Sequence, residues 1–256
     1  MGEFTSIGWC HFTFNPWIGC SPVSLACSEC YAAKAARRWK GRERGIELWK
    51  RRGPRQVTSA SYWHQPVRWD KARMLGSEKY RVFAASQADV FENRRDLDEL
   101  RARLFTLYAA TPNLVWMNLT KRIEDVPDLV PWGEDWPGNV WLGTSVESQR
   151  YADTRVDALR RIPAKVRFLS VEPLVEPVRL NLDGIHLVIV GGMSGPKHAR
   201  YPLQAEWVRS VRDQCADAGT AFFFKQWGGL HPKDGGKVLD GREWCEFPDE
   251  PRLVAA

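Results

Sequence analysis

The chain has 256 residues, with 37 Lys and Arg against 31 Asp and Glu, a formal net charge of +6, 44% hydrophobic and 27% charged residues. That is globular composition, sized for one barrel or two smaller domains, and it excludes a disordered or collagen-like chain. Apolar runs such as Leu187-Val188-Ile189-Val190 are too short to cross a bilayer, and the N-terminus has no charged stretch leading into an apolar one. A soluble, cytoplasmic protein without a membrane partner is expected.

The first candidate element is a strand around Trp9 to Phe14, followed at once by Cys20, Cys27 and Cys30. Six cysteines are too sparse in this length for a disulfide scaffold, and three crowded into eleven residues read as a reduced ligand cluster. Three thiolates on one loop can hold three irons of a [4Fe-4S] cluster and leave the fourth iron open. Zinc is the rival; it needs a fourth ligand, which Cys10, His11 or His64 could supply. Inert packing is the bland alternative.

The segment from Lys34 to Arg55 carries ten basic residues and two acids, a local +8 against +6 for the whole chain. Interleaved with Trp39 and Trp49, it reads either as a polyanion-binding surface or as a solvated helix face. We expect a basic helical insertion over about 34–75. Thirteen Trp is many for this length, and Trp serves both cores and stacking on bases.

Buried strands are then expected at 82–85, 114–117, 140–143, 166–169, 186–190 and 221–224. Helical spacing joins Leu97 to Tyr108, Tyr151 to Ile162 and Trp207 to Cys215 between them. Alternating strands and helices predict an α/β fold with parallel strands, one domain over 1–256 with a loop-rich tail over about 228–256. Each apolar run is followed by polar residues or glycines: Ser86 and Asp89, Lys121 and Arg122, Ser145 and Glu147, Ser170 and Glu172, Gly191 and Gly192 leading to Ser194, Lys225 and Gln226. In parallel α/β folds that rim binds ligands.

Asn15-Pro16-Trp17-Ile18-Gly19-Cys20, Cys27-Ser28-Glu29-Cys30-Tyr31-Ala32, Leu119-Thr120-Lys121-Arg122, Trp141 to Glu147, Ser170-Val171-Glu172-Pro173-Leu174, Val190 to Pro196, Phe223 to Gly229 and Leu239-Asp240-Gly241-Arg242 occur in that order. With them the chain closely resembles, over nearly its whole length, the phage gene-product 37/68-like three-cysteine-motif family. That family is in turn similar to the radical S-adenosylmethionine enzymes. The resemblance implies a partial (β/α)6 TIM-like barrel with the cluster loop after the first strand. It also implies a three-cysteine [4Fe-4S] cluster, S-adenosylmethionine as cofactor and an external electron donor. The open iron there binds the methionyl group, and an electron cleaves the sulfonium to a 5′-deoxyadenosyl radical. Three departures stand out. Ser86-Gln87-Ala88-Asp89 stands in place of a Gly-Gly-Glu-like element after the second strand. The first cysteine gap is six residues rather than three, and Met193 occupies a position where Glu is common in the phage family.

Within this reading Cys20, Cys27 and Cys30 ligate the cluster. Ser145 and Glu147 suit a ribose diol, because a carboxylate accepts two hydroxyl hydrogen bonds. Gly191 and Gly192 permit close backbone approach of an adenine or methionyl group. Ser86, Asp89 and Ser170 complete the cofactor rim. Lys121, Glu172 and Lys225 are candidate catalytic residues, and structural salt bridges are the alternative for the rim charges. The expected function is modification or repair of a nucleotide or nucleic acid in a phage-related setting, with a possible partner protein. The alternative is a zinc-stabilised nucleic-acid-binding protein without chemistry.

Overall fold

A computed structural model of the protein describes residues 4–73, 78–231 and 233–248. The chain divides into two compact units, Met1–Trp132 and Gly133–Ala256.

In the first unit β1 (Phe12–Phe14) leads into β2 (Trp17–Ile18). The basic insertion follows: α1 (Tyr31–Trp39), α2 (Arg42–Glu47), β3 (Gln56–Val57), α3 (Ala60–Trp63) and α4 (Gln65–Arg73). It is helical as expected except where β3 pairs antiparallel with β2, Trp17 opposite Val57; its last two positions, 74 and 75, lie outside the described residues. Then come β4 (Tyr80–Ala84), α5 (Asp98–Ala109), β5 (Leu114–Thr120) and α6 (Val126–Leu129). β1, β4 and β5 pair in parallel, with Phe14 beside Ala84 and Ala84 beside Asn118. The α1 helix forms because Tyr31 to Ala36 is alanine-rich, and it buries Ala32, Ala33 and Ala36 against Leu48 and Trp49.

The second unit runs β6 (Val140–Ser145), a helical stretch made of α7 (Gln149–Tyr151), a π turn and α8 (Asp157–Arg160), then β7 (Arg167–Val171) and β8 (Leu187–Gly191). It continues through α9 (Ala205–Ala218) and β9 (Ala221–Gln226) to the short hairpin β10 (Val238–Leu239) and β11 (Arg242–Glu243). β6 to β9 pair in parallel in chain order. The fold is therefore mixed α/β, with seven strands pairing in parallel, three in the first unit and four in the second.

All seven expected strands form, and in five of them, β5 to β9, the C-terminal end extends further than hydropathy indicates. Asn118 to Thr120, Thr144, Ser145, Ser170, Val171, Gly191, Lys225 and Gln226 lie inside strands rather than in the loops after them. The parallel ladder supplies the reason: Ser145 pairs with Ser170 and Val171 with Val190, so backbone pairing continues after the apolar run has stopped. Eight of the thirteen Trp are core residues, Trp116 and Trp141 among the most enclosed. No helix among the described residues is long and apolar enough to cross a membrane.

Candidate functional site

The cysteine loop leaves β1 at its C-terminal end and is fixed to the β4 rim by backbone bonds. Gly19 N–H donates to Gln87 O at 3.0 Å, and Cys20 N–H to Leu48 O at 3.1 Å. Gly19 has φ +118°, and a Cβ there would come within 2.5 Å of Leu48 O. Glycine is required at this point by both conformation and space.

Cys20 Sγ donates to Ser21 O at 3.5 Å and accepts from Arg122 Nη1 at 3.6 Å. Burial pushes its thiol pKa up to about 12, Asp89 adds to the rise, and Arg122 opposes it. Cys27 sits within a 3-10 turn, Leu25–Glu29, and Cys30 follows that turn as the residue before α1. Both cysteines line a cleft of about 180 Å³, together with Lys34, Arg37, Trp49 and Lys50. All three loop cysteines are free thiols.

This donor set fits a thiolate-held cluster: soft ligands, no competing carboxylate on the loop's cleft, and cations placed to balance the negative charge. The three sulfurs are not drawn together, since among the described residues no group of three metal-ligating side chains is gathered. Cys10 and His11 stand elsewhere. Both precede β1, and His11 N–H bonds Arg81 O at the start of β4, so they lie at the opposite strand ends from the cysteine loop.

Two buried ion pairs underlie the loop. Asp89, 5% exposed, accepts from Arg122 Nη1 and Thr120 Oγ1, both at 2.8 Å, and from Phe91 N–H at 3.0 Å. Its carboxylate is thus engaged by the protein, and Arg122 links it to Cys20. Lys121 meets Asp89 through its backbone N–H at 3.4 Å. Below them Arg55 grips Glu92 with both Nε (2.8 Å) and Nη2 (2.6 Å), and Ser21 Oγ donates to Glu92 at 2.5 Å. Burial alone would raise the Glu92 pKa; the hydrogen bonds and charge of Arg55, with Ser21, outweigh it and hold the carboxyl below its ordinary value. Ser86 exchanges hydrogen bonds with Asn15, and its carbonyl accepts from Tyr31 Oη at 2.6 Å.

The second unit gathers the other expected residues. Ser145 and Ser170 are register neighbours, both buried. Glu147 is paired with Arg155 at 2.7 Å, both side chains 5% exposed, and Arg155 also donates to Ser145 O at 2.8 Å while lying 3.9 Å over the Tyr151 ring. Glu172 and Lys225 pair at 2.6 Å and are each about one-fifth exposed, so this is the more accessible pair. Glu172 also packs over Gly191, where a Cβ would meet it at 3.2 Å. At Gly192 the close neighbour is the protein's own backbone: a Cβ would come within 1.9 Å of Trp227 O. The Gly191 to Gly195 loop is laced to the Trp227 to Gly229 loop by Gly229 N–H to Met193 O and Gly195 N–H to Gly229 O, and Gln226 Nε2 donates to Ser194 Oγ.

Residues 4–248 match the family model described as "Protein of unknown function (DUF5131)". The chain belongs to the DUF5131 family. No curated protein and no solved structure matches it. In this DUF5131 protein sequence reasoning missed Arg55, Glu92, Ser21 and Arg155. Arg55 is hidden in a run of ten basic residues, and Glu92 lies 37 positions from it.

Proposed function

We propose that this protein is an iron–sulfur enzyme of the radical S-adenosylmethionine type, with its parallel strands arranged as a partial (β/α)6 barrel, acting on a nucleotide or nucleic acid. The supporting observation is the cysteine loop: three free thiols after the first parallel strand, with the Arg122 guanidinium beside Cys20. Cys10 and His11 lie at the other strand ends, which removes two of the three candidates for a fourth zinc ligand and leaves His64, at the end of α3.

When bound at Cys20, Cys27 and Cys30, the cluster would supply an open iron and an electron for reductive cleavage of S-adenosylmethionine. Arg122 then holds positive charge next to one ligand, and Asp89 fixes that guanidinium in place rather than touching the cofactor itself. In the second unit Ser145, Ser170 and Glu147 carry the hydroxyl and carboxylate groups that suit a ribose diol; in the first, Ser86 carries a hydroxyl shared with Asn15. Gly191 lies beneath the Glu172 side chain, and Gly192 is closed off by Trp227 O, so Gly192 serves loop packing rather than the cofactor. The accessible Glu172–Lys225 pair is the candidate catalytic pair of the second unit, and Lys121 is the candidate catalytic cation of the first. An external electron donor is required, and a partner protein is the natural source.

The test is anaerobic reconstitution with iron and sulfide, followed by assay for 5′-deoxyadenosine in the presence of a reductant and S-adenosylmethionine. A brown protein that forms 5′-deoxyadenosine is expected. A colourless protein carrying one zinc per chain overturns the reading.

A further inference from the structure

The α1–α2 hairpin carries a surface that the cysteine loop does not explain. Its inner face is used up on Ala32, Ala33, Ala36, Leu48 and Trp49. Its outer face shows Trp39 at 81% and Tyr31 at 58% exposure, whereas eight other Trp side chains are buried. An indole this exposed contributes little to the fold's own packing and presents a flat face on which a planar partner can stack. Tyr31 is fixed in place by its hydroxyl bond to Ser86 O. Eight residues of helix set the two rings about 12 Å apart along the axis.

Charge points to what covers them. Of the ten basic residues between 34 and 55, Lys34 pairs with Glu29, Lys50 with Glu47 and Arg55 with Glu92. The other seven, Arg37 to Arg52, are exposed and have no carboxylate partner among the described residues. A solvated helix face ordinarily interleaves opposite charges at i,i+4, whereas here Lys34 and Arg38 put like charges at that spacing. Clustered cations around exposed aromatic rings match a polyanion whose flat groups stack. Base faces are covered in a duplex and open in a single strand.

We propose that the α1–α2 hairpin binds single-stranded nucleic acid, with a base stacked on Trp39 and phosphates on the arginines around it. This rests on the reading that nucleic acid is the substrate, and it specifies the strand state and the residues that hold it.

The experiment uses the full chain and fluorescence anisotropy of a labelled oligothymidine strand, a hairpin duplex of equal length and phosphatidylserine vesicles, over a salt series. Trp39→Ala should weaken strand binding about ten-fold without changing the salt slope. Arg38→Glu with Arg42→Glu should lower the magnitude of the slope by about 1.4, as expected for two lost phosphate contacts on a single strand. Trp39 is exposed, so both variants should melt like wild type. Equal strand affinity for wild type and Trp39→Ala, duplex binding as tight as strand binding, or binding to vesicles alone would each overturn the proposal. Iron and sulfide content of the same preparations separates the two ideas. Iron without strand binding removes only the hairpin surface; strand binding without iron removes only the cluster.

Discussion

The Arg122 guanidinium lies 3.6 Å from Cys20 Sγ although 102 residues separate the two in sequence. The same Nη1 is 2.8 Å from Asp89, so one cation serves a structural carboxylate and a candidate metal ligand together. Replacing it by Met leaves Asp89 charged, buried and matched only by neutral donors. Loss of a buried partner of this kind costs about 3 kcal/mol. Arg122→Met should therefore lower unfolding free energy in urea by that order, and adding Asp89→Asn should restore part of it. A variant as stable as wild type would show that the pair is not stabilising the loop.

The cysteines divide by environment. Cys20, Cys27 and Cys30 share one loop, whereas Cys215 is fully buried on α9, where burial raises its thiol pKa to about 12. Changing any loop cysteine to Ala should abolish iron retention after reconstitution. Cys215→Ala should keep the full iron content and lose only packing. Full iron in all three loop variants ends the cluster reading.

The sequence made the parallel strands and their intervening helices legible because apolar runs and helical spacing are local signals. Leu187 to Val190 can hardly be anything but a buried strand. The rim was legible as a polar zone, since Ser145, Glu147, Ser170 and Glu172 each follow such a run. What each rim residue touches was not legible. Glu147 meets Arg155, Asp89 meets Arg122 and Glu172 meets Lys225, and the two longest of these links are set by how strands assemble rather than by spacing along the chain. The glycines show the same limit. Gly192 reads as room for a ligand, but the space it leaves is taken by Trp227 O.

Glu147 tests whether a rim carboxylate does more than pair with arginine. Glu147→Gln keeps an acceptor for Arg155 and removes the charge, leaving a buried guanidinium bonded to Ser145 O and an amide. A stability loss of about 2 kcal/mol is expected. If Glu147 also holds the ribose, S-adenosylmethionine affinity measured by calorimetry on the reconstituted protein should fall as well, with the cluster spectrum unchanged. A stability loss at wild-type cofactor affinity would confine Glu147 to structure.

His11 gives the protein a specific acid sensitivity. Its Nδ1 accepts the Arg81 N–H at 2.9 Å, which a protonated ring could not do. Burial first, then the charges of Arg81 and Arg73 with Glu78 opposing, lower its pKa from 6.5 to about 4. The unfolded chain therefore takes up a proton near pH 6.5 that the folded chain refuses until about pH 4. Stability from this site is unaffected above pH 6.5 and is lost progressively between pH 6.5 and pH 4. His186, which accepts Arg167 N–H and is also lowered, mainly by burial, acts in the same direction. His11→Asn keeps an acceptor near Arg81 N–H and removes the titration. Its unfolding free energy should fall less steeply than that of wild type across that window, with the curves parallel above pH 7. Parallel curves throughout would mean that His11 is protonated equally in the folded and unfolded chains.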